Sequence, residues 1–129
     1  MKLRLSTLAV LTLVLASGCA HRPVSPGYAE EGLAGYYGKE FDGRRTASGA
    51  VFHAEGLTCA HRTLPFGSVV EVSRTDVARS VTVTVTDRGP FVSGRIVDLS
   101  LGAARKLDLV QAGVAPVRLE VVSVPKAKR

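Results

Sequence analysis

The stretch from Val81 to Leu99, VTVTVTDRGPFVSGRIVDL, constrains the fold more than any other part of the chain. It opens with strict alternation: Val81, Val83 and Val85 share one face, and Thr82, Thr84 and Thr86 share the other. A period of two is that of a β-strand with one face buried and one facing water. A Gly/Pro turn interrupts it, and a second β-rich run follows from Arg95 to Leu99. Asp87 and Arg88 stand at the lip of that turn. A strand end holds a side chain on a rigid scaffold yet leaves it open to solvent, which makes Asp87 the leading candidate for a working residue.

The chain has room for one domain, and its first residues read as an export signal. Lys2 and Arg4 precede an uncharged apolar run from Leu5 to Ala16, short for a membrane span. The run ends in Leu15-Ala16-Ser17-Gly18-Cys19, which resembles a bacterial lipobox, with Leu15 one step further from the cysteine than usual. This predicts a signal peptide over residues 1–18, a lipidated Cys19 and a tether up to Glu31, rich in Pro and Gly. The alternatives are an ordinary secretory signal or a cytosolic protein with an apolar start. Ala20, rather than Asp, after the cysteine favours an outer-membrane anchor facing the periplasm. With Cys19 lipidated, Cys59 is left alone in the apolar run LTCAH and reads as a buried thiol.

Charge narrows the partners. The chain carries 17 Lys and Arg against 11 Asp and Glu, a balance suited to cell wall or lipid headgroups. The basic residues are scattered and form no series with aromatics, which argues against nucleic acid. No Cys or His spacing suggests a metal site, and no cofactor is implied.

Within the domain, expected over residues 32–124, further strands are predicted at Leu33–Tyr37, Ser68–Arg74 and Pro116–Val124. Between Gly38 and Gly67 runs a long irregular stretch, with short strands expected at Ala50–His53 and Leu57–Ala60. Ser100 is a good N-cap for a helix in LGAARKLDL, with Leu101, Ala104 and Leu107 facing inward. Residues 125–129 form a basic tail. About six short strands and one helix in so few residues favour a small closed barrel, which leaves no exposed edges.

Four segments then match one family in order: Gly35-Tyr36-Tyr37-Gly38, FDGRRTASG from Phe41, LTCAHRTLPFG from Leu57, and TDRGPFVSGRIVDLS from Thr86. Together they resemble the RlpA-like family of rare lipoprotein A, over residues 32–122. The resemblance implies a mainly β fold, a six-stranded double-psi β-barrel with one or two short helices, shared with expansins. It also implies a lytic transglycosylase that breaks the bond between N-acetylmuramic acid and N-acetylglucosamine in peptidoglycan glycan strands. The muramic 6-hydroxyl attacks C1 and leaves a 1,6-anhydro end. Hydrolases of glycans normally bring two carboxyl groups. Here one suffices, because the substrate carries the nucleophile.

By the same resemblance Asp87 is the catalytic acid, His61 assists, and Asp98 is a third candidate. Tyr37, Thr46, Ser48 and Arg88 are expected at the substrate groove. Structural roles compete: an Asx turn for Asp87, a packed histidine for His61, a helix cap for Asp98. Arg95 is read as surface charge, and Ala50 stands where members often carry an acid. The alternative to cleavage is a non-catalytic, expansin-like module that binds peptidoglycan, or a structural envelope lipoprotein.

Overall fold

A computed structural model describes residues 23–126. The six strands are β1 (Ala29–Tyr36), β2 (Thr58–Ala60), β3 (Val69–Arg74), β4 (Ser80–Asp87), β5 (Arg95–Leu99) and β6 (Ala115–Ser123). A short helix, α1 (Leu101–Lys106), joins β5 to β6, and one 3-10 turn spans Lys39–Phe41. The strands close into a barrel in the order β1-β5-β2-β4-β3-β6. β1 runs parallel to β5 and β2 parallel to β4; the other four pairings are antiparallel.

Alternation decides the inside of the barrel. Val81, Val83 and Val85 are buried, and Val70 and Val72 of β3 and Val117, Leu119 and Val121 of β6 meet them in one core. The polar residues between them, Glu71, Thr82 and Arg118, stay exposed. Cys59 lies in the same core, fully buried and free, and burial pushes its thiol up to about 12. The helix follows the expected logic. Ser100 accepts from the Ala103 N–H, while its hydroxyl donates to Gly56 O at 2.6 Å. Gly102 lets α1 approach the loop before β2: a Cβ there would sit 2.6 Å from Glu55 O.

Most strand ends shift by one residue from expectation, and three differences stand out. β1 starts at Ala29, inside the segment read as tether, because Ala29 to Ala34 pair with β6. Glutamates and a glycine in that span carry no alternation, so the pairing is visible only in the sheet. Residues Ala50–His53 form no strand; Arg45 and Val51 make one isolated bridge. Their apolar member Phe52 instead packs with Ala54, Leu101 and Tyr37 in a small second core that anchors the long loop. The last strand ends at Ser123 and leaves Val124 outside it. The proposed signal peptide, Cys19 and the end of the basic tail lie outside the described residues.

Candidate active-site groove

The site is built around the short strand β2. Ala60 pairs with Asp87 of β4 on one side and with Asp98 of β5 on the other. Neighbouring strands lie about 4.8 Å apart, so the two acids stand roughly 10 Å apart at the backbone with a single methyl group between them. Ala60 is 4% exposed and forms the floor. Above it opens a groove of about 400 Å³.

The two acids differ in what they touch. Asp87 is half-buried, and its Oδ1 accepts from Ala47 N at 3.0 Å and Arg88 N at 2.9 Å. These two amides hold the carboxyl in place and leave Oδ2 as the open oxygen. No ion pair engages Asp87 among the described residues. Asp98 is bound to Arg95: Nη2 donates to Oδ2 at 3.0 Å, and Nε lies 2.8 Å from Oδ1. The second contact is poorly directed and acts mainly through charge. Arg95 is therefore no free surface charge, and Asp98 caps no helix. Gly35 makes room for this pair, since a Cβ there would lie 2.9 Å from both Arg95 Nε and Asp98 Oδ1.

The groove walls come mostly from the irregular stretch. Tyr37 lines the groove with its ring packed on Phe52, centroids 4.7 Å apart, and edge-on to Phe41. Burial first, and then the charge of Asp87, raises its phenol well above the ordinary range, so it stays neutral, with its hydroxyl buried and without a partner among the described residues. Thr46 lines the groove with its hydroxyl 2.9 Å from that of Ser48. Ser48 supports Thr46 and does not itself face the groove. Arg88 lines the wall, yet its guanidinium lies 3.8 Å over the Phe66 ring and donates to His61 O and Leu64 O. Arg44 and Arg45 add further positive charge to the lining. Phe41, Arg44, Arg45, Phe52, Ala60 and the Ala47 amide were not singled out from the sequence. The one signal for them was the length of the irregular stretch itself.

His61 is not brought together with Asp87 through its side chain. It is 5% exposed and opens on a separate cavity of about 150 Å³, lined by Glu30, Arg62, Thr63 and Ile96. Its Nε2 meets Glu30 Oε1, and its Nδ1 accepts from Thr63 N at 3.2 Å and Leu64 N at 3.1 Å. The link to the groove is through backbone: His61 N donates to Asp87 O at 3.1 Å. The hydrogen bond to His61 holds Glu30 below the usual carboxylate range.

A six-stranded closed barrel with a half-buried acid at a strand end, in a groove walled by aromatic and basic residues, defines a double-psi β-barrel. The chain belongs to the family described as lytic transglycolase, whose model matches residues 29–119. The endolytic peptidoglycan transglycosylase RlpA of Vibrio cholerae is 50% identical over 100 residues, covering 78% of this chain and 38% of the relative. The protein of the same name from Campylobacter jejuni is 46% identical over 99 residues, covering 77% and 36%. This chain thus spans little more than a third of those relatives. Among solved structures, the Streptomyces papain inhibitor superposes with a TM-score of 0.62 at 27% identity, covering 76% of this chain and 97% of that one. An apo expansin of Clavibacter michiganensis gives 0.60 at 22% identity, covering 78% and 53%. A protease inhibitor and an expansin share this barrel, so the fold alone does not carry the chemistry.

Proposed function

We propose that this protein is a lytic transglycosylase that cleaves bonds between N-acetylmuramic acid and N-acetylglucosamine within peptidoglycan glycan strands. The observation that carries this is the inequality of the two groove acids. Arg95 neutralises Asp98, so Asp87 is the one carboxyl with an open oxygen. A single acid fits a reaction whose nucleophile belongs to the substrate. Protonated Asp87 gives its proton from Oδ2 to the glycosidic oxygen, and the bond from that oxygen to C1 breaks. The muramic 6-hydroxyl oxygen bonds to C1, and the Asp87 carboxylate takes the hydroxyl proton. The enzyme returns to its starting state, no water is consumed, and the new end is a 1,6-anhydro sugar.

The other groove residues hold the sugar. The Thr46 hydroxyl offers hydrogen bonds to sugar edges, with Ser48 orienting it, and the Tyr37 ring, whose hydroxyl is buried, offers an apolar surface. Arg88 fixes the backbone beside Asp87, and Asp98 with Arg95 forms a second polar wall. His61 assists from behind the groove. The glycan substrate places the protein in the cell envelope. The lipobox-like segment supports lipid attachment at Cys19 and an outer-membrane anchor.

A second reading is an expansin-like module that grips the same strands without cutting them. The expansin-like barrel and Ala50, in place of an acid, favour it. The test incubates the purified protein with glycan strands, with and without stem peptides, and follows new ends by mass spectrometry. Anhydro ends that vanish in Asp87→Asn support the transglycosylase. Reducing ends would indicate hydrolysis and a second working carboxyl, Asp98. Binding without new ends would favour the expansin-like module.

A further inference from the structure

Behind the groove lies a polar cluster that the cleavage reaction does not use directly. Glu30 comes from β1 and His61 from the end of β2, two strands separated in the barrel by β5. Their side chains meet across that strand, beside Ile96. The contact therefore ties together elements that no strand pairing joins.

The hydrogen bonds set the state of the imidazole. Nδ1 faces two backbone N–H donors, Thr63 at 3.2 Å and Leu64 at 3.1 Å, so it must be an acceptor without a proton. The ring proton then sits on Nε2 and is donated to Glu30 Oε1. The side chain is 6% exposed, and both nitrogens are engaged away from the groove. Nor do the neighbouring groups offer a relay. The Arg62 guanidinium donates to Pro90 O, Val92 O and Arg95 O, and the Tyr28 hydroxyl lies against the other Glu30 oxygen.

What the ring does hold is the turn from His61 to Leu64. That turn supports the groove in three ways. His61 N donates to Asp87 O at 3.1 Å. The His61 and Leu64 carbonyls accept from Arg88 Nη1 at 3.2 and 2.8 Å. Arg88 N in turn donates to Asp87 Oδ1 at 2.9 Å. A chain of hydrogen bonds therefore runs from Glu30 through the imidazole and the turn to the groove acid.

We infer that Glu30 and His61 form a positioning pair. Glu30 fixes the imidazole as its Nε2–H tautomer, Nδ1 caps the 61–64 turn, and the turn sets the placement of Asp87 and Arg88. His61 is then a support for the acid and carries no proton in the reaction. This rests on Asp87 being the acid/base, and small misplacements of such a group cost rate steeply.

The experiment uses the full protein and four variants, with two readouts. Nitrogen NMR of the His61 ring and amide spectra of residues 61–64, 87 and 88 report the strut without reference to activity. Release of anhydro ends reports the chemistry. The expected wild-type ring is the Nε2–H tautomer, with Nδ1 as the acceptor of the Thr63 and Leu64 amides. Glu30→Ala is expected to mix the tautomers, shift the Thr63, Leu64, Asp87 and Arg88 amides, and lower kcat about tenfold with KM little changed. Glu30→Gln, whose amide oxygen still accepts from Nε2–H, should stay within about threefold of wild type.

His61→Asn separates support from proton transfer, because its side-chain oxygen can replace Nδ1 as the acceptor. It should keep roughly a tenth or more of the activity and the wild-type pH profile, whereas His61→Ala loses both cap and activity. A folded His61→Asn protein as inactive as Asp87→Asn would overturn the inference, as would amides at 87 and 88 that do not respond to Glu30→Ala. Absence of anhydro ends in the wild type would defeat the Asp87 chemistry alone. The NMR readout would still decide the strut.

Discussion

Ala60 and His61 are neighbours in the chain but serve opposite sides of the barrel end. Ala60 floors an open groove in which Asp87 keeps one oxygen unengaged. His61 faces a cavity less than half that size, where both ring nitrogens have partners. One side leaves a polar group available; the other satisfies its polar groups completely. A buried, satisfied network gives rigidity, and a half-buried carboxyl with one unengaged oxygen is left available for chemistry. The same contrast separates the two groove acids, since Asp98 is paired and Asp87 is not.

The largest test of this contrast is Asp87→Asn. It keeps an oxygen to accept the Ala47 and Arg88 amides but cannot exchange a proton. Release of anhydro ends should fall by roughly 10²–10⁴ while binding to glycan strands persists in a pull-down assay. Equal losses of binding and release would mean that Asp87 works mainly as a contact.

Next is Arg95→Ala. It strands the Asp98 carboxylate, whose side chain is 15% exposed, without its counter-charge. Thermal or urea unfolding should show a loss of about 1–3 kcal/mol, below the cost in a fully buried pair because water still reaches the site. Asp98→Asn should cost less, because Arg95, at 29% exposure, recovers more hydration. The reverse order would mean that Asp98, not Arg95, holds the site together.

Cys59 sharpens the contrast between filled core and open groove. Its thiol, pushed up to about 12 by burial, should resist alkylation by iodoacetamide at pH 8 in the native state and react promptly once unfolded. Rapid native labelling would place it within reach of the groove.

The smallest expected effect is a pH dependence at Glu30. Its carboxyl sits below the ordinary range when folded, with the His61 hydrogen bond as the main cause. The group therefore favours the folded state above its unfolded pKa, and this contribution disappears as pH falls through the lowered folded value. The stability gap between wild type and Glu30→Gln should be constant near neutrality and shrink under acid, as followed by urea unfolding. A gap that widened under acid would contradict the assigned hydrogen bond.

Much of the architecture was legible in the residue order. The Val/Thr alternation marked β4 and its buried face, and β5 was expected over the residues it occupies. Ser100 announced α1 by its capping chemistry. Such signals are local, because strand period and caps depend on residues within one or two turns of chain. Asp87 was found the same way, as an acid at the point where alternation breaks. The start of β1 was missed because Glu30, Glu31 and Gly32 break the alternation, and only pairing with β6 makes them a strand. Phe52 was read as part of a strand because an apolar residue near a turn looks the same whether it joins a ladder or plugs a small core.

The sequence by itself determined a mainly β chain with its inward faces marked and one acid at a strand end. The tertiary structure alone decided that Ala60 lies between Asp87 and Asp98, that Arg95 engages Asp98, and that Glu30 reaches His61 across β5. The physical reason lies in the barrel's closure. It joins strands far apart in the chain by backbone bonds that any residue can make, and side-chain contacts follow from that register. A carboxylate beside a cation and one left open are written with the same letter. Only their neighbours in space make them different acids.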